Sequence, residues 1–465
     1  MDRLPAHFSG RCRSSRPSAT WLVSTFPAEN SRACSSLRNR GARVEETATD
    51  NQRHAPHRRT AAKRTAQPGR RAAVVRSNLT SETKLSIPDR GFALELFYGV
   101  LRNLTLLDFW IGCLRTSQVD VDLRDLLRLG LYQLFLLKTA EHAAVYETVE
   151  LASKRQRPTI NGMLRTAGRR RNELLSRAGA QPLFVRTSHP QFLIRRWKEN
   201  FGAEAAEALC EWDNEPPRVY GRINRLKIDP EKFLSLYPES GPIERRPDFV
   251  EFQSVPTRAL ALGHCYIQDP STLIACELLD PKPAEKVLDA CAAPGGKTAY
   301  IAQLMKNRGT IVACDRDAAR LPVLKDNIAR LGIGIVHSFR HDWTRGRVSK
   351  EIASVAPFDR ILVDAPCTNT GVMRRRVDVR WRLRPEDLIR MPDEQFEITR
   401  SATRLLKPGG VLVYSTCSIE PEENGQLVER LLNHFPQMRL GDETSSLPFR
   451  DHFDGAFAAR LINTA

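Results

Sequence analysis

From Lys286 to Ser418 the chain repeats one theme: a short apolar run that ends on Asp or Cys, then a longer stretch with helical spacing. The runs read as strands at 286–290, 310–315, 335–342, 359–364 and 410–418, with helical stretches such as 318–331 and 393–406 between them. Strands apolar on both faces and separated by helices form a mostly parallel sheet covered on both sides. Such a sheet binds ligands at the carboxyl ends of its strands. At those ends stand Asp289, Asp315, Asp342 and Asp364, then two thiols, Cys367 and Cys417.

Upstream the pattern differs. Over residues 85–180 apolar residues recur at helical spacing, as in Leu94, Phe97, Val100 and Leu101, or Leu123, Leu127, Leu131 and Leu134. This predicts a small all-α domain. Residues 181–280 are broken by Pro182, Pro190, Pro216, Pro217 and Pro230, and Val219–Leu226 alternates as a strand does. A small α+β connector is expected there, followed by the α/β domain over 281–465. Residues 1–84, rich in Arg, Ser, Ala and Thr, read as a disordered basic tail. A transit peptide and an over-long start are the other readings of that stretch.

Lys and Arg outnumber Asp and Glu by 71 to 54, a net charge of +17. Residues 1–80 hold 16 of the cations and 5 of the anions, so +11 of that charge lies there and +6 in the remainder. A polyanionic partner is implied, nucleic acid first, though charge alone does not prove it. The ten cysteines include no C-x-x-C pair. That argues against a zinc site or a disulfide scaffold and points to a reducing, cytoplasmic setting. No apolar run approaches the ~20 residues of a membrane span. A monomer is expected, with no metal and no membrane.

The first strand runs into Cys291-Ala292-Ala293-Pro294-Gly295-Gly296-Lys297-Thr298. Its glycines let a ligand approach the backbone closely, and the next helix offers free N–H groups. A phosphate loop requires G-x-x-x-x-G-K-[ST]. Gly296-Lys297-Thr298 fits that pattern, but Cys291 stands at the first glycine, and Pro294 removes one donor. A P-loop ATPase that remodels RNA stays open, with Asp364 then a magnesium ligand. Against it stands Asp315, 26 residues after Asp289, where a carboxylate can accept both hydroxyls of a ribose. Any one of these aspartates alone is best read as a loop or cap residue. As a series they suit an adenosine without phosphates, such as S-adenosylmethionine, and would repel a triphosphate.

Two thiols at strand ends suggest covalent chemistry. Carbon 5 of a pyrimidine is a poor nucleophile until a thiolate adds to carbon 6. A neighbouring acid must then hold nitrogen 3, and Asp364 is positioned for this if it, or the cytosine, carries the proton. Cys367 is the candidate for assisting loss of the carbon 5 hydrogen. Cys113, Cys210, Cys265, Cys276 and Cys314 read as small core residues, and Cys291 as packing in the loop.

The motifs Asp364-Ala365-Pro366-Cys367, Thr416-Cys417-Ser418 and Asp289–Thr298 together resemble the Sun-type RNA cytosine-5 methyltransferases. Gln268-Asp269-Pro270-Ser271-Thr272, Glu422-Glu423-Asn424 and Asp454-Gly455-Ala456-Phe457 also match that family's motifs. The helical part resembles the NusB-like domain of the Sun/RsmB branch, through Gly99–Arg102, Gly130–Leu134 and Val145–Glu150. The resemblance covers about 88–465. It implies a seven-stranded, Rossmann-like class I methyltransferase domain behind an all-α NusB-like domain and a small connector. Small-subunit (16S) ribosomal RNA is the implied substrate and S-adenosylmethionine the cofactor. It assigns the nucleophile to Cys417 and product release to Cys367. It also lines the cofactor pocket with Cys291, Ala292, Ala293, Pro294, Gly295, Gly296, Lys297, Asp315, Asp342 and Asp364, and brings Lys297 near Asp364 and the base. Thr368-Asn369-Thr370 departs from the usual Ser, Ala or Gly, and Asn161-Gly162-Met163 from Asn-Ala-Val. Pro322 should kink its helix.

Arg374, Arg375, Arg376 and Arg380 follow the first thiol with Trp381 among them, a mixture suited to phosphate contact and base stacking. For any one of them a solvated loop is as good a reading. Arg222 and Asn224 are weaker RNA contacts. A non-catalytic RNA-binding factor is the third reading, and both thiols argue against it.

Overall fold

In the computed structural model, residues 86–345 and 347–465 are described. The reading of 1–84 as a basic tail lies outside the described residues. The helical spacing upstream becomes six helices: α1 (Ile87–Arg102), α2 (Leu104–Leu114), α3 (Val121–Phe135), α4 (Glu141–Leu151), α5 (Arg157–Arg169) and α6 (Arg171–Gly179). Asp120 starts α3 by accepting a hydrogen bond from the Leu123 amide at 2.8 Å. That sets the register in which Leu123, Leu127, Leu131 and Leu134 all face inward. Trp110 fills the middle of this unit, with its indole N–H on the Leu174 carbonyl at 3.0 Å. The described residues 86–100 and 107–180 form this first unit, and 101–106 with 181–465 form a second.

After a one-turn helix at Leu183–Arg186, the second unit has α7 (Gln191–Phe201) and α8 (Ala203–Asn214). A four-stranded antiparallel sheet follows, ordered β2-β3-β1-β4, from β1 (Val219–Ile223), β2 (Ser240–Ile243), β3 (Arg246–Phe252) and β4 (Cys265–Ile267). Seven more strands make the main sheet: β5 (Lys286–Asp289), β6 (Thr310–Asp315), β7 (Val336–Arg340), β8 (Phe358–Asp364), β9 (Leu406–Thr416), β10 (Met438–Ser446) and β11 (Ala456–Asn463). Their order is β10-β11-β9-β8-β5-β6-β7, and all neighbours from β9 to β7 are parallel. Four helices among those flanking it bear on the site: α9 (Gly296–Leu304), α10 (Leu321–Arg330), α11 (Asp387–Thr403) and α12 (Gly425–His434).

Strand geometry explains the double core. Successive residues point to opposite faces. Val287, Ile311, Leu362 and Val413 therefore pack on one side of the sheet, and Leu288, Val312, Ile361 and Leu412 on the other. The chain runs outward from β5 to β6 and β7, then crosses to the opposite side with β8. The carboxyl ends of β5 and β8 therefore flank the point where strand order reverses, the usual place for a ligand crevice.

Three local expectations are corrected. Pro322 does not kink a helix, because α10 begins at Leu321 and Pro322 sits in its first turn, where the missing N–H costs nothing. Pro408-Gly409-Gly410 lies inside β9 rather than before it, at a slip in register with β8. The strand expected over 219–226 stops at Ile223. The sheet also gains β10 and β11, both antiparallel, which the apolar-run pattern did not reveal. β10 is an edge strand, mostly exposed and polar, so it carries no apolar run to be recognised.

Candidate functional site

The ends of β8 and β9 hold the reactive groups. Parallel register sets Asp364 beside Ser415, and the turn after β8 folds Cys367 back onto Cys417. The two sulfurs stand 3.0 Å apart in an S–H···S contact. Asn369 holds this turn in the left-handed region, at φ 62°. Its amide donates to the Cys367 carbonyl at 2.6 Å, and its oxygen accepts from the Cys417 thiol at 3.4 Å. The hydrogen bond with Cys417, then burial, holds the Cys367 thiol well above its ordinary pKa. Cys367 thus keeps its proton and can donate it toward the Cys417 sulfur.

Lys297, in the first turn of α9, donates to Asp364 Oδ2 at 2.8 Å, while Ser415 Oγ donates to Oδ1 at 3.3 Å. Burial pulls the ammonium down, but the Asp364 carboxylate outweighs it and holds Lys297 above the usual lysine value. Both thiols, Lys297, Asp315, Asp342 and Asp364 line one cleft of about 680 Å³. Among the described residues no group of three or more His, Cys, Asp or Glu could hold a metal ion.

A buried carboxylate ties the two thiol loops together. Glu423 Oε2 accepts from the Thr368 amide at 3.0 Å and from Gln395 at 2.7 Å; Oε1 accepts from the Ser418 hydroxyl at 2.6 Å and from the Thr368 hydroxyl. Thr368 follows Cys367 and Ser418 follows Cys417, so one side chain positions both turns. Burial pushes Glu423 up, and these donors partly offset it. Gly371 completes the frame: its N–H donates to the Cys417 carbonyl at 3.1 Å, and a Cβ there would stand 2.7 Å from the Gly455 Cα. The Glu422-Glu423-Asn424 motif is visible in the sequence, but its structural job is not.

Three N–H groups of the loop after β5 are engaged within the protein. Ala292 N–H bonds to the Cys314 carbonyl at 2.7 Å, Ala293 N–H to Asp315 Oδ2 at 3.2 Å and Gly295 N–H to the Ala292 carbonyl at 2.8 Å. Gly295 needs its φ of 105°, and a Cβ there would meet Leu324 at 2.7 Å. Pro294 offers only its carbonyl, which takes Asn327 at 2.9 Å. Thr298 turns its hydroxyl to Asp289 at 2.7 Å, and Lys297 turns to Asp364. A phosphate cradle needs free N–H groups and a free lysine, so the P-loop reading finds no support here. Cys291 is held well above its ordinary pKa by burial, which suits packing.

The acidic strand ends fit a ligand with hydroxyls and positive charge. Asp315 is braced by the Asp317 amide at 2.9 Å and by Arg320 at 3.2 Å. Asp342 is held below its ordinary value, first by the Thr344 hydroxyl at 2.7 Å. Burial pushes Asp289 up to about 7, and its Oδ1 has no partner.

The arginine run is placed differently from the sequence expectation. Arg374 lies over the Trp212 ring at 4.1 Å and donates to the Pro216 carbonyl at 2.7 Å. Arg380 donates to Asn214 at 2.7 Å and to the Asp213 carbonyl at 3.1 Å. Arg222 reaches Gln268 at 3.0 Å and the Gly296 carbonyl at 3.3 Å, and Asn224 reaches the carbonyls of Gly263 and Leu331. These four are between 1% and 4% exposed. A side chain so enclosed has no face for a phosphate, which corrects the RNA-contact reading for Arg222, Asn224, Arg374 and Arg380. Arg375 is part-buried between two aspartates, and Arg376 is exposed; both line the cleft.

Comparison with known proteins finds relatives over most of the chain. Residues 276–462 match the family described as 16S rRNA methyltransferase RsmB/F, 58–169 the NusB family, and 189–246 the ferredoxin-like domain of RsmF/B-like methyltransferases. The probable ribosomal RNA small subunit methyltransferase B of Bacillus subtilis (strain 168) is 36% identical over 380 residues, covering 78% of this chain and 83% of the relative. The crystal structure of PH0851 superposes at TM-score 0.68 with 28% identity, covering 84% of this chain and 94% of that one. NSun6 from Pyrococcus horikoshii, solved with SFG, shares the fold at TM-score 0.54 and 23% identity, over 59% of this chain and 98% of its own.

Proposed function

The chain belongs to the RsmB/F family of 16S rRNA methyltransferases, and from that premise we propose that it methylates carbon 5 of a cytosine in small-subunit ribosomal RNA, with S-adenosylmethionine as donor and Cys417 as nucleophile. The observation that carries this reading is the thiol pair, 3.0 Å apart, in one cleft with the Lys297–Asp364 ion pair. When bound, S-adenosylmethionine supplies an electrophilic methyl group. The loop 291–297 with Asp315, Asp342 and Asp364 would hold it, since the acidic rim suits its hydroxyls and cationic charge.

Cys417 adds to carbon 6 as the thiolate, which turns carbon 5 into the nucleophile. A proton taken up at nitrogen 3 balances the new charge, and the Asp364 carboxyl, fixed by Lys297 at 2.8 Å, hydrogen-bonds it there. The hydrogen bond to Cys417 is the first cause of the raised Cys367 pKa. To act as a base, Cys367 first gives its own proton to water in the cleft. It can then take the proton from carbon 5, after which the bond from carbon 6 to Cys417 breaks and frees the product.

The test is a pair of variants on labelled small-subunit RNA. Cys417→Ala should show no methyl transfer. Cys367→Ala should accumulate a covalent RNA adduct on denaturing gels. Full activity of Cys417→Ala would sink the mechanism, and a 5-methylcytosine map of the ribosomal RNA unchanged by loss of the gene would sink the substrate.

A further inference from the structure

The two thiols are not held alike. Cys417 follows β9, whose last residue, Thr416, pairs with Phe457 of β11. The Thr416 hydroxyl donates to Asn424 at 2.7 Å, the Asn424 amide donates to the Ser418 carbonyl at 3.0 Å, and the Ser418 N–H donates to the Thr416 hydroxyl at 3.2 Å. Losing the Glu423 carboxylate would leave these bonds around Cys417 in place.

Cys367 lies in a turn past the end of β8 and has no such knot. The residues on either side of it carry the ties to distant segments. The Pro366 carbonyl accepts from Gln395 at 3.0 Å. The Thr368 N–H donates to Glu423 at 3.0 Å; its hydroxyl donates to the same carboxylate and contacts the Ser418 hydroxyl at 3.2 Å. Gln395 also donates to Glu423, at 2.7 Å. Glu423 is fully buried, and its own carbonyl accepts from the Tyr414 hydroxyl at 2.6 Å, so the carboxylate is a fixed post.

The reaction itself removes the direct tie between the thiols. At rest the sulfurs share an S–H···S contact at 3.0 Å. Bonded to carbon 6, the Cys417 sulfur becomes a thioether, a weak acceptor. With its proton given to water, Cys367 has nothing left to donate. Carbon 5 and carbon 6 are neighbours in the ring, so Cys367 must still reach carbon 5 while Cys417 stays on carbon 6. At that stage the backbone flanking Cys367 has to hold the spacing, and its ties on both sides run to Glu423 and Gln395.

We propose that Glu423 is a positioning residue for product release: through Thr368 and Gln395 it keeps Cys367 within reach of carbon 5 after the thiol–thiol contact is spent. The inference rests on the cytosine-5 reading. Its test is single-turnover methylation of labelled small-subunit RNA, with adduct formation and product release timed separately on denaturing gels. Glu423→Gln keeps the size of the side chain and exchanges a charged acceptor for a neutral one. Adduct formation should stay within a few-fold of wild type. Release should slow about 10-fold, the difference between a charged and a neutral acceptor, so that adduct builds up. In the Cys367→Ala background the same change should slow release no further, because Glu423 acts through Cys367. Thr368→Val, which removes only the hydroxyl, is the second variant if Glu423→Gln does not fold, and it should slow release a few-fold.

Equal losses in formation and release overturn the proposal, as does unchanged release in the folded variant, or a further loss in the Cys367→Ala background. If wild type methylates no carbon 5 and Cys367→Ala forms no adduct, the cytosine-5 reading has failed. The positioning is then judged without RNA, by the rate at which diamide closes Cys367 and Cys417 into a disulfide. Diamide takes up the two thiol hydrogens, becoming a hydrazine, and the two sulfurs are oxidised to the disulfide. Peptide mass analysis should show slower closure in Glu423→Gln than in wild type, and equal rates overturn it.

Discussion

Two sets of charged side chains drew notice in the sequence: the aspartates at the strand ends and the arginines at 374–380. They divide differently. Asp342 and Asp364 are part-exposed in the cleft, which the more buried Asp315 also lines, whereas of the arginines only Arg375 and Arg376 reach it, and Arg374 and Arg380 are enclosed among carbonyls, Trp212 and Asp213. The strand ends had to face a crevice, because a sheet covered on both sides is open only at its edges. The arginines were under no such constraint, and segments from elsewhere in the chain closed over them. A charge in a sequence signals ligand contact only where the fold leaves its end of the element uncovered.

That contrast can be broken most sharply at Asp364. Asp364→Asn removes the partner of Lys297 and the proposed anchor of nitrogen 3. Methyl transfer should fall by about 10²–10⁴-fold, while RNA affinity by filter binding stays within a few-fold. Near-normal turnover would remove Asp364 from the chemistry and leave the acidic edge a structural feature.

Arg380→Met tests the other side. Arg380 donates to Asn214 Oδ1 and to the Asp213 carbonyl, and leaving such buried acceptors without their donor costs about 1–3 kcal/mol. Urea unfolding should report a loss of that size, with RNA affinity unchanged in the protein that remains folded. Unaltered stability with weakened RNA binding would restore Arg380 to the surface.

A smaller effect separates the same groups by pH. Asp213, Asp289 and Asp454 each sit at about 7, raised by burial, so the folded chain binds their protons more readily than the unfolded chain. Stability should therefore rise as pH falls from about 8 to about 6.5, opposite to the usual carboxylate. Below that window His189 opposes the trend. Burial, then Arg380, holds it well below 6.5, so unfolding takes up a proton there. Urea midpoints that fall between pH 8 and 6.5 would contradict this assignment.

The smallest effect belongs to Arg376, exposed at the cleft. Arg376→Ala should weaken RNA binding a few-fold across sequences and reduce the salt slope by about 1. An unchanged slope would leave no arginine of the run except Arg375 near the RNA.

Much of the site was legible because each piece ends a local pattern. Cys367, Cys417 and the four aspartates follow apolar runs, and the run itself marks the strand. The Lys297–Asp364 contact came from family resemblance, since nothing local joins residues 67 apart. What Glu423 and Arg375 hold together escaped notice for the same reason: Arg375 meets partners 79 and 106 residues away, and Glu423 reaches back 55 residues to Thr368. β10 escaped because an exposed edge strand needs no apolar run.

By itself the sequence determined the α/β alternation, the upstream helices and the residues that stand at the strand ends, because periods of two and 3.6 are written in neighbouring residues. Tertiary structure alone decided which arginines are buried, that Glu423 joins both thiol loops, and that the sulfurs lie 3.0 Å apart with the Cys367 thiol held above its ordinary pKa. Those outcomes depend on which distant segments converge and how much water they exclude, and a local pattern encodes neither.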